Sequence, residues 1–481
     1  MVPLSSLGTR AVVLLSAAGT AYLLHVLNAV FVSRHLFGDA SWFLLKMLSE
    51  NHVAHWYTDY RDFYVGRFGA FAVQEYPTLL FSRLGITSLA TLSTIYGVTL
   101  FAFKPLSLVL SYHFSKDKRA IVFPLLTLFA GSINSEAYIV SETHLFVALF
   151  WPALIILLDA DSISGATLAI LAALSAPLLL CYESMAVYGV ILAAVCLYRA
   201  RTLSRSEGER VACWIFCGWY LLGAAIAVLS IVKPRDPVNR SGFLRGTFLV
   251  LGYGDVAAWV SCVVLALVII LLLGRTRGGE ELRRLVALSA GLSSLIVLQI
   301  VLWPGQTNFG FHVMARSINV LVPLLVVPLY LLWRLRGLSI DAEQFRAAFL
   351  ITACLGLGQS AWNILASSQW SNMLAVMRSE VRTGVGVIPF EKSAMFRRTI
   401  CGAPIRRLHA DWPLLPLSIV LADGGNVRAM IDPGSGIFRP FDPYRPGSLP
   451  ELQRYGIRYD TYLTGLSNAH RYEIGRRDYL R

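Results

Sequence analysis

Two groups of ionisable residues stand apart in this chain. The first is mostly acidic: Asp39 in FGDA, Asp59 and Asp62 in TDYRDF, Glu142 and His144 in SETH, and Glu183 in CYES. The second is cationic: Lys233, Arg235, Arg240 and Arg245 in KPRDPVNRSGFLRG, then His312 and Arg316 in FGFHVMARS. A carboxylate within hydrogen-bond reach of a hydroxyl can take its proton as the oxygen attacks an electrophilic carbon. Arginines suit the other half of such a reaction, because a planar donor fork holds a phosphate and stabilises the charge that develops on it as it leaves. Acids early and cations late therefore match the two ends of a group transfer from a phosphate to a hydroxyl.

Each residue also has a plainer reading. Asp39 is placed to cap a helix beginning at Ala40. Asp59 and Asp62 flank Arg61, as a solvated charge cluster would. Glu142 and His144 are two apart, so on a helix they point to different faces, which argues against a metal pair. Glu183 has apolar neighbours on both sides, where an uncompensated carboxylate is costly. The late arginines could serve as anchors for lipid head groups. Nothing in the pattern calls for a metal or a cofactor.

The elements that position these residues are apolar. The chain has 481 residues, 56% hydrophobic and only 15% charged, a composition suited to a bilayer. Apolar runs near 11–33, 87–113, 120–132, 143–158, 165–180, 184–198, 211–232, 247–273, 283–303, 318–333 and 347–365 predict about eleven spans of the roughly 30 Å hydrocarbon layer. The run 165–199 is too long for one span and breaks at Cys181-Tyr182-Glu183-Ser184, which predicts two short helices and a tight turn. Lys and Arg concentrate around 116–119, 199–210, 275–284 and 334–346, which places those loops and the N-terminus in the cytoplasm. The first outer loop is then 34–86, and the tail from 366 is also outside. Residues 40–50 and 68–84 mix apolar and polar positions and predict helices lying along the interface. The expected fold is an all-α polytopic membrane domain over 1–365 with a small α+β extracytoplasmic domain over 366–481. In that domain LSIVLA and VRAMIDP, around Asp423-Gly424-Gly425, predict a hairpin.

Six of the seven cysteines lie in or beside apolar helices, and only Cys401 falls in the tail, so no disulfide framework is available there. The formal charge of +13 is spread over loops without the aromatic interleaving of a nucleic-acid surface. Membrane lipids and phosphorylated lipids are the expected partners.

A first outer loop opening on Gly38-Asp39, two interfacial helices within it, about eleven spans and an outer C-terminal domain together resemble the C-type (GT-C) membrane glycosyltransferases. The tail segments TGVGVIPFEKS and DWPLLPLSIVL also look like those of bacterial members. The resemblance implies an inverting transfer of a sugar from a polyprenyl-phosphate donor to a glycan, lipid or protein acceptor outside a bacterial inner membrane. Asp39 would then be the general base, although Ala40 stands where many members have a second acid. Asp59, Asp62, Glu142, His144 and Glu183 would touch the acceptor or sugar, while Arg240, Arg245, Arg316, Lys233 and His312 would hold the donor phosphate. Two rivals share the composition. A polysaccharide polymerase or ligase would centre on one large late loop, whereas the longest loop here is the first. A transporter or lipid flippase would carry polar residues within its spans, where Lys104-Pro105 is the main instance.

Overall fold

The computed structural model describes residues 9–36, 40–53, 67–132, 142–232, 322–324, 326–335, 340–389, 392–394, 414–422, 426–432, 454 and 458–459. The helices are α1 (Thr9–Phe31), α2 (Ala40–Glu50), α3 (Phe68–Arg83), α4 (Leu89–Phe114), α5 (Val122–Ser132), α6 (Glu142–Asp159), α7 (Gly165–Leu178), α8 (Met185–Thr202) and α9 (Glu207–Val232). There follow α10 (Val322–Leu335), α11 (Ala342–Thr383) and α12 (Leu414–Leu421). The short strands are β1 (Gly386–Pro389), β2 (Asn426–Val427), β3 (Ala429–Asp432) and β4 (Arg458–Tyr459). Among the described residues, α4, α8 and α9 are long and apolar enough to cross a membrane, while α6, α7, α10 and the 16–31 portion of α1 are shorter apolar helices.

The surface pattern is that of a protein in hydrocarbon. α1 buries Ala18, Tyr22, His25 and Ala29 and exposes Leu23, Leu24, Leu27 and Phe31. α9 exposes Trp214, Ile215, Leu221, Leu222, Val228 and Leu229 while burying Cys213, Cys217, Tyr220 and Ala224. On these two helices alanines, cysteines, tyrosines and a histidine face inward and large aliphatics face outward, as expected where lipid rather than water surrounds the bundle.

One end of the bundle is tied by ion pairs. Arg199 and Glu209 pair at 2.5 Å with side chains 1% and 2% exposed, and Arg199 also donates to the carbonyls of Leu157 at 2.9 Å and Ala160 at 2.8 Å. Arg334 Nε donates to Asp159 at 2.8 Å, and the backbone N–H of Lys116 donates to the same carboxylate at 3.3 Å. The loops after α4, α6 and α8 and the end of α10 thus gather at one end, and three of these joints, all but the loop after α6, are ones that the Lys and Arg pattern assigns to a single side.

At the opposite end the chain turns between α7 and α8 over 179–184, where the break in the long apolar run predicts a turn. α1, α5 and α11 run parallel toward this end. Phe129 of α5 meets both Tyr22 of α1 and the Gly356 position of α11, while further along Trp370 Nε1 donates to the Ser33 carbonyl at 3.1 Å.

α11 has 42 residues and so is about 63 Å long. It starts at a capping box in which Asp341 and Gln344 bond each other's backbone N–H groups, and it continues past 365, where the sequence pattern ends the last span. Its far portion carries the tail, through contacts of Trp370, Met373, Leu374 and Met377 with Leu414, Leu417 and Val420 in one apolar cluster.

The hairpin expected around Asp423 is not formed. LSIVL lies in helix α12, and β3 pairs in parallel with β1, with Gly386 opposite Ala429 and Pro389 opposite Asp432. Parallel strands need a crossover, and α12 lies within it. Burial on the far end of α11 overrides the β-branched residues of the run, and Ser418 Oγ accepts from Ile431 N–H at 3.1 Å to lock α12 to the strand.

Candidate functional site

The end remote from the ion pairs is where polar side chains are buried. α1 ends at Phe31, Ser33 just beyond it has a left-handed φ of 58°, and the chain passes through a 3-10 turn, Arg34–Leu36, toward α2. Arg34 is buried with its guanidinium 5.7 Å from the Trp370 ring. His35 is buried against α4, its Nε2 2.9 Å from Ser93 Oγ, at a place where only Gly97 leaves room for the ring. Burial pushes the His35 imidazole down to about 3, against the opposing hydrogen bond with Ser93, so the ring is neutral. Leu36 and Ala40, which flank the 37–39 segment, are also buried.

α3 closes over this region with its polarity inverted. Gln74, Glu75, Thr78 and Ser82 point inward and are buried, while Tyr76, Leu80, Phe81 and Leu84 are exposed. A helix with polar residues inside and apolar ones outside fits the lipid interface predicted for 68–84. Its start is pinned to the α7–α8 turn, because Gly69 N–H donates to Leu180 O at 2.7 Å and a Cβ at Gly69 would lie 2.3 Å from the Pro177 carbonyl oxygen. Beside this contact Arg67 donates twice to Glu183 Oε1, at 3.0 and 2.7 Å, and its guanidinium stacks 4.9 Å from the Tyr182 ring.

Between α4, α5 and α6 lies a cavity of about 20 Å3, room for about one water. Lys104, Ser107, Thr127, His144 and Trp151 are among its lining, and Trp151 Nε1 is buried without a hydrogen-bond partner among the described residues. Beyond the Phe129 contact, α1 continues for nine residues past Tyr22 and α11 for many more past Gly356.

Of the predicted site residues, Glu183 and His144 fall within this end of the molecule, at the α7–α8 turn and at the cavity. Glu142 begins α6, and its backbone alone is described. Asp39, Asp59, Asp62, Lys233, Arg240, Arg245, His312 and Arg316 lie outside the described residues. Residues that the sequence left out of the site are Arg34, Arg67 and the buried polar face of α3, together with Lys104, which stood out in the sequence only as a polar residue within a span. The signal for α3 was its spacing, since Phe71, Gln74, Glu75, Thr78 and Ser82 recur every three or four residues. Among the described residues no three His, Cys, Asp or Glu side chains gather as a metal site would require. Comparison with models of protein families, with curated proteins and with solved structures finds no match for this chain.

Proposed function

We propose that the protein is a multi-pass membrane glycosyltransferase of the C type, moving a sugar from a polyprenyl-phosphate donor to a glycan, lipid or protein acceptor at the outer face of a bacterial inner membrane. The observation that carries this reading is the concentration of buried charged and polar groups, Arg34, His35, Gln74, Glu75 and the Arg67–Glu183 pair, at the end of the bundle remote from the basic loops. Asp39 is the general base in this reading. It takes the acceptor proton as the hydroxyl oxygen forms the new bond to the anomeric carbon, the bond from that carbon to the phosphate oxygen breaks, and the electron pair leaves with the phosphate. One displacement inverts the anomeric centre. Arg240, Arg245 and Arg316, with Lys233 and His312, hold the departing phosphate.

The test is transfer from a polyprenyl-phosphate sugar in proteoliposomes. Asp39→Asn, which keeps most of the capping capacity, should abolish transfer with expression and melting unchanged. Arg240→Ala, Arg245→Ala and Arg316→Ala should each lower turnover about tenfold, the value of one charge-assisted contact. Retained transfer in Asp39→Asn would leave that residue a cap. Buried polar residues within α11 are a feature that a transporter or lipid flippase would share, and the same vesicles separate the two: movement of the lipid across the bilayer with no glycosidic product would replace this reading with that one.

A further inference from the structure

The turn that leaves α1, residues 33–36, is held from three sides. Ser33 has a φ of 58°, a left-handed backbone that brings its Cβ close to the following carbonyl. A residue in that state persists where its surroundings over-determine it. Here the Ser33 carbonyl accepts two hydrogen bonds, from Leu36 N–H at 3.1 Å and from Trp370 Nε1 at 3.1 Å, which uses both of its lone pairs. Arg34 lays its guanidinium against the ring of the same tryptophan. His35 is fixed to Ser93 in the slot that Gly97 leaves on α4, and Leu36 lies in the apolar cluster with Leu414 and Leu417 of α12.

Of these holds, Trp370 comes from farthest along the chain, on the portion of α11 that carries the tail. Two more contacts join the same segments. α12 packs on α2, and Arg454 donates to the Ser82 carbonyl near the end of α3 at 3.3 Å. The first outer loop is therefore gripped at its start, along α2 and near its end by residues that follow 366. α2 shows the effect: Ala40, Ser41, Leu44, Leu45 and Met47 are fully buried, with α3 and α12 both packed on the helix.

Asp39, the base in the function proposed above, stands three residues beyond Leu36 in sequence. We propose that Trp370 is a positioning residue for that base: its indole N–H, by holding the Ser33 carbonyl, fixes the turn from which the Asp39 segment departs. Trp370 touches neither donor nor acceptor in this assignment. Its role in transfer rests on the glycosyltransferase reading, whereas its hold on the turn does not. A base displaced by a fraction of an ångström loses rate, while donor affinity, set by other residues, is kept.

The experiment compares four full-length proteins in proteoliposomes: the parent, Trp370→Phe, Trp370→Phe/Ser33→Gly and, as a control on the lipid-facing side of α9, Trp214→Phe. Phenylalanine keeps a ring against Arg34 and removes the N–H, and glycine accepts a left-handed φ without needing the bond. Trp370→Phe should lower kcat about tenfold with the donor KM unchanged. Ser33→Gly should restore most of that loss, and Trp214→Phe should match the parent. Ser33→Val, whose β-branch resists the left-handed turn, should lose turnover with Trp370 intact, and it stands in should Trp370→Phe fail to fold. Hydrogen exchange at the Leu36 N–H, read on the same proteins, should quicken about fivefold in Trp370→Phe, the net value of one hydrogen bond, and slow again with Ser33→Gly. Parental kcat in Trp370→Phe or in Ser33→Val would overturn the assignment, as would a loss confined to KM or one that Ser33→Gly does not relieve. If no protein transfers sugar, the parent included, the glycosyltransferase reading falls and exchange judges the hold: a faster Leu36 N–H in Trp370→Phe leaves Trp370 as the joint between tail and loop, and an unchanged one removes that too.

Discussion

Arg67 directs both its Nε and one terminal nitrogen at a single oxygen of Glu183, and the second oxygen, Oε2, is buried with no hydrogen-bond partner among the described residues. The pair joins the entrance of α3 to the α7–α8 turn across 116 residues of sequence, with side chains 12% and 20% exposed. Removing one partner strands the other in a poorly solvated place. Arg67→Gln and Glu183→Gln should each lower stability by about 1–3 kcal/mol, and the double variant should lose less than the sum. Thermal melting of the four proteins in one detergent closes the cycle, and additive losses would show that the two side chains do not interact.

His35 makes stability depend on pH. Its folded value lies near 3, below the ordinary imidazole value of about 6.5, so between those values the unfolded chain binds a proton that the folded chain does not. The contribution is complete above about pH 6.5. It declines by about 1.4 kcal/mol for each unit below that, until the folded ring itself protonates. Denaturation followed from pH 7 to pH 5 should show this slope in the parent and lose most of it in His35→Asn. Parallel curves would place the acid sensitivity elsewhere.

Two glycines should respond in opposite directions. Gly69→Ala sets a methyl group against the Pro177 carbonyl, a backbone atom that cannot swing away, and should cost about 1–3 kcal/mol by forcing α3 off the turn. Gly218 has nothing within 4 Å of a built Cβ, and alanine there should add about 0.5–1 kcal/mol through helix propensity. Melting temperatures of the two variants decide this, and a neutral Gly69→Ala would show that the contact is loose.

What could be read from the chain and what could not divide along physical lines. The break between α7 and α8 was visible because a carboxylate and a tyrosine interrupt an apolar run, and Glu183 stood out for the same reason. Its partner did not, since Arg67 is remote in sequence and only the packing of Gly69 on Pro177 brings it near. Helices at 40–50 and 68–83 followed from their mixed periodicity. The continuation of α11 was hidden by Ser367, Ser368, Gln369, Ser371 and Asn372, which look like a loop until the buried series Trp370, Leu374 and Met377 is set beside them. α12 was masked by β-branched residues whose burial, not propensity, sets the backbone.

The short helix α7 has a consequence for the bilayer around it. Its 14 residues extend only about 21 Å against a hydrocarbon layer of about 30 Å, and its outward face, Ala166, Ala169, Ala172, Ala173 and Ala176, is exposed. A helix of that length falls about 9 Å short of the layer, and lipid beside such a helix thins to match it at a cost of fractions of a kcal/mol per Å. The apolar length on this side of the bundle is therefore set by the turn that carries Tyr182 and Glu183, which closes α7 early.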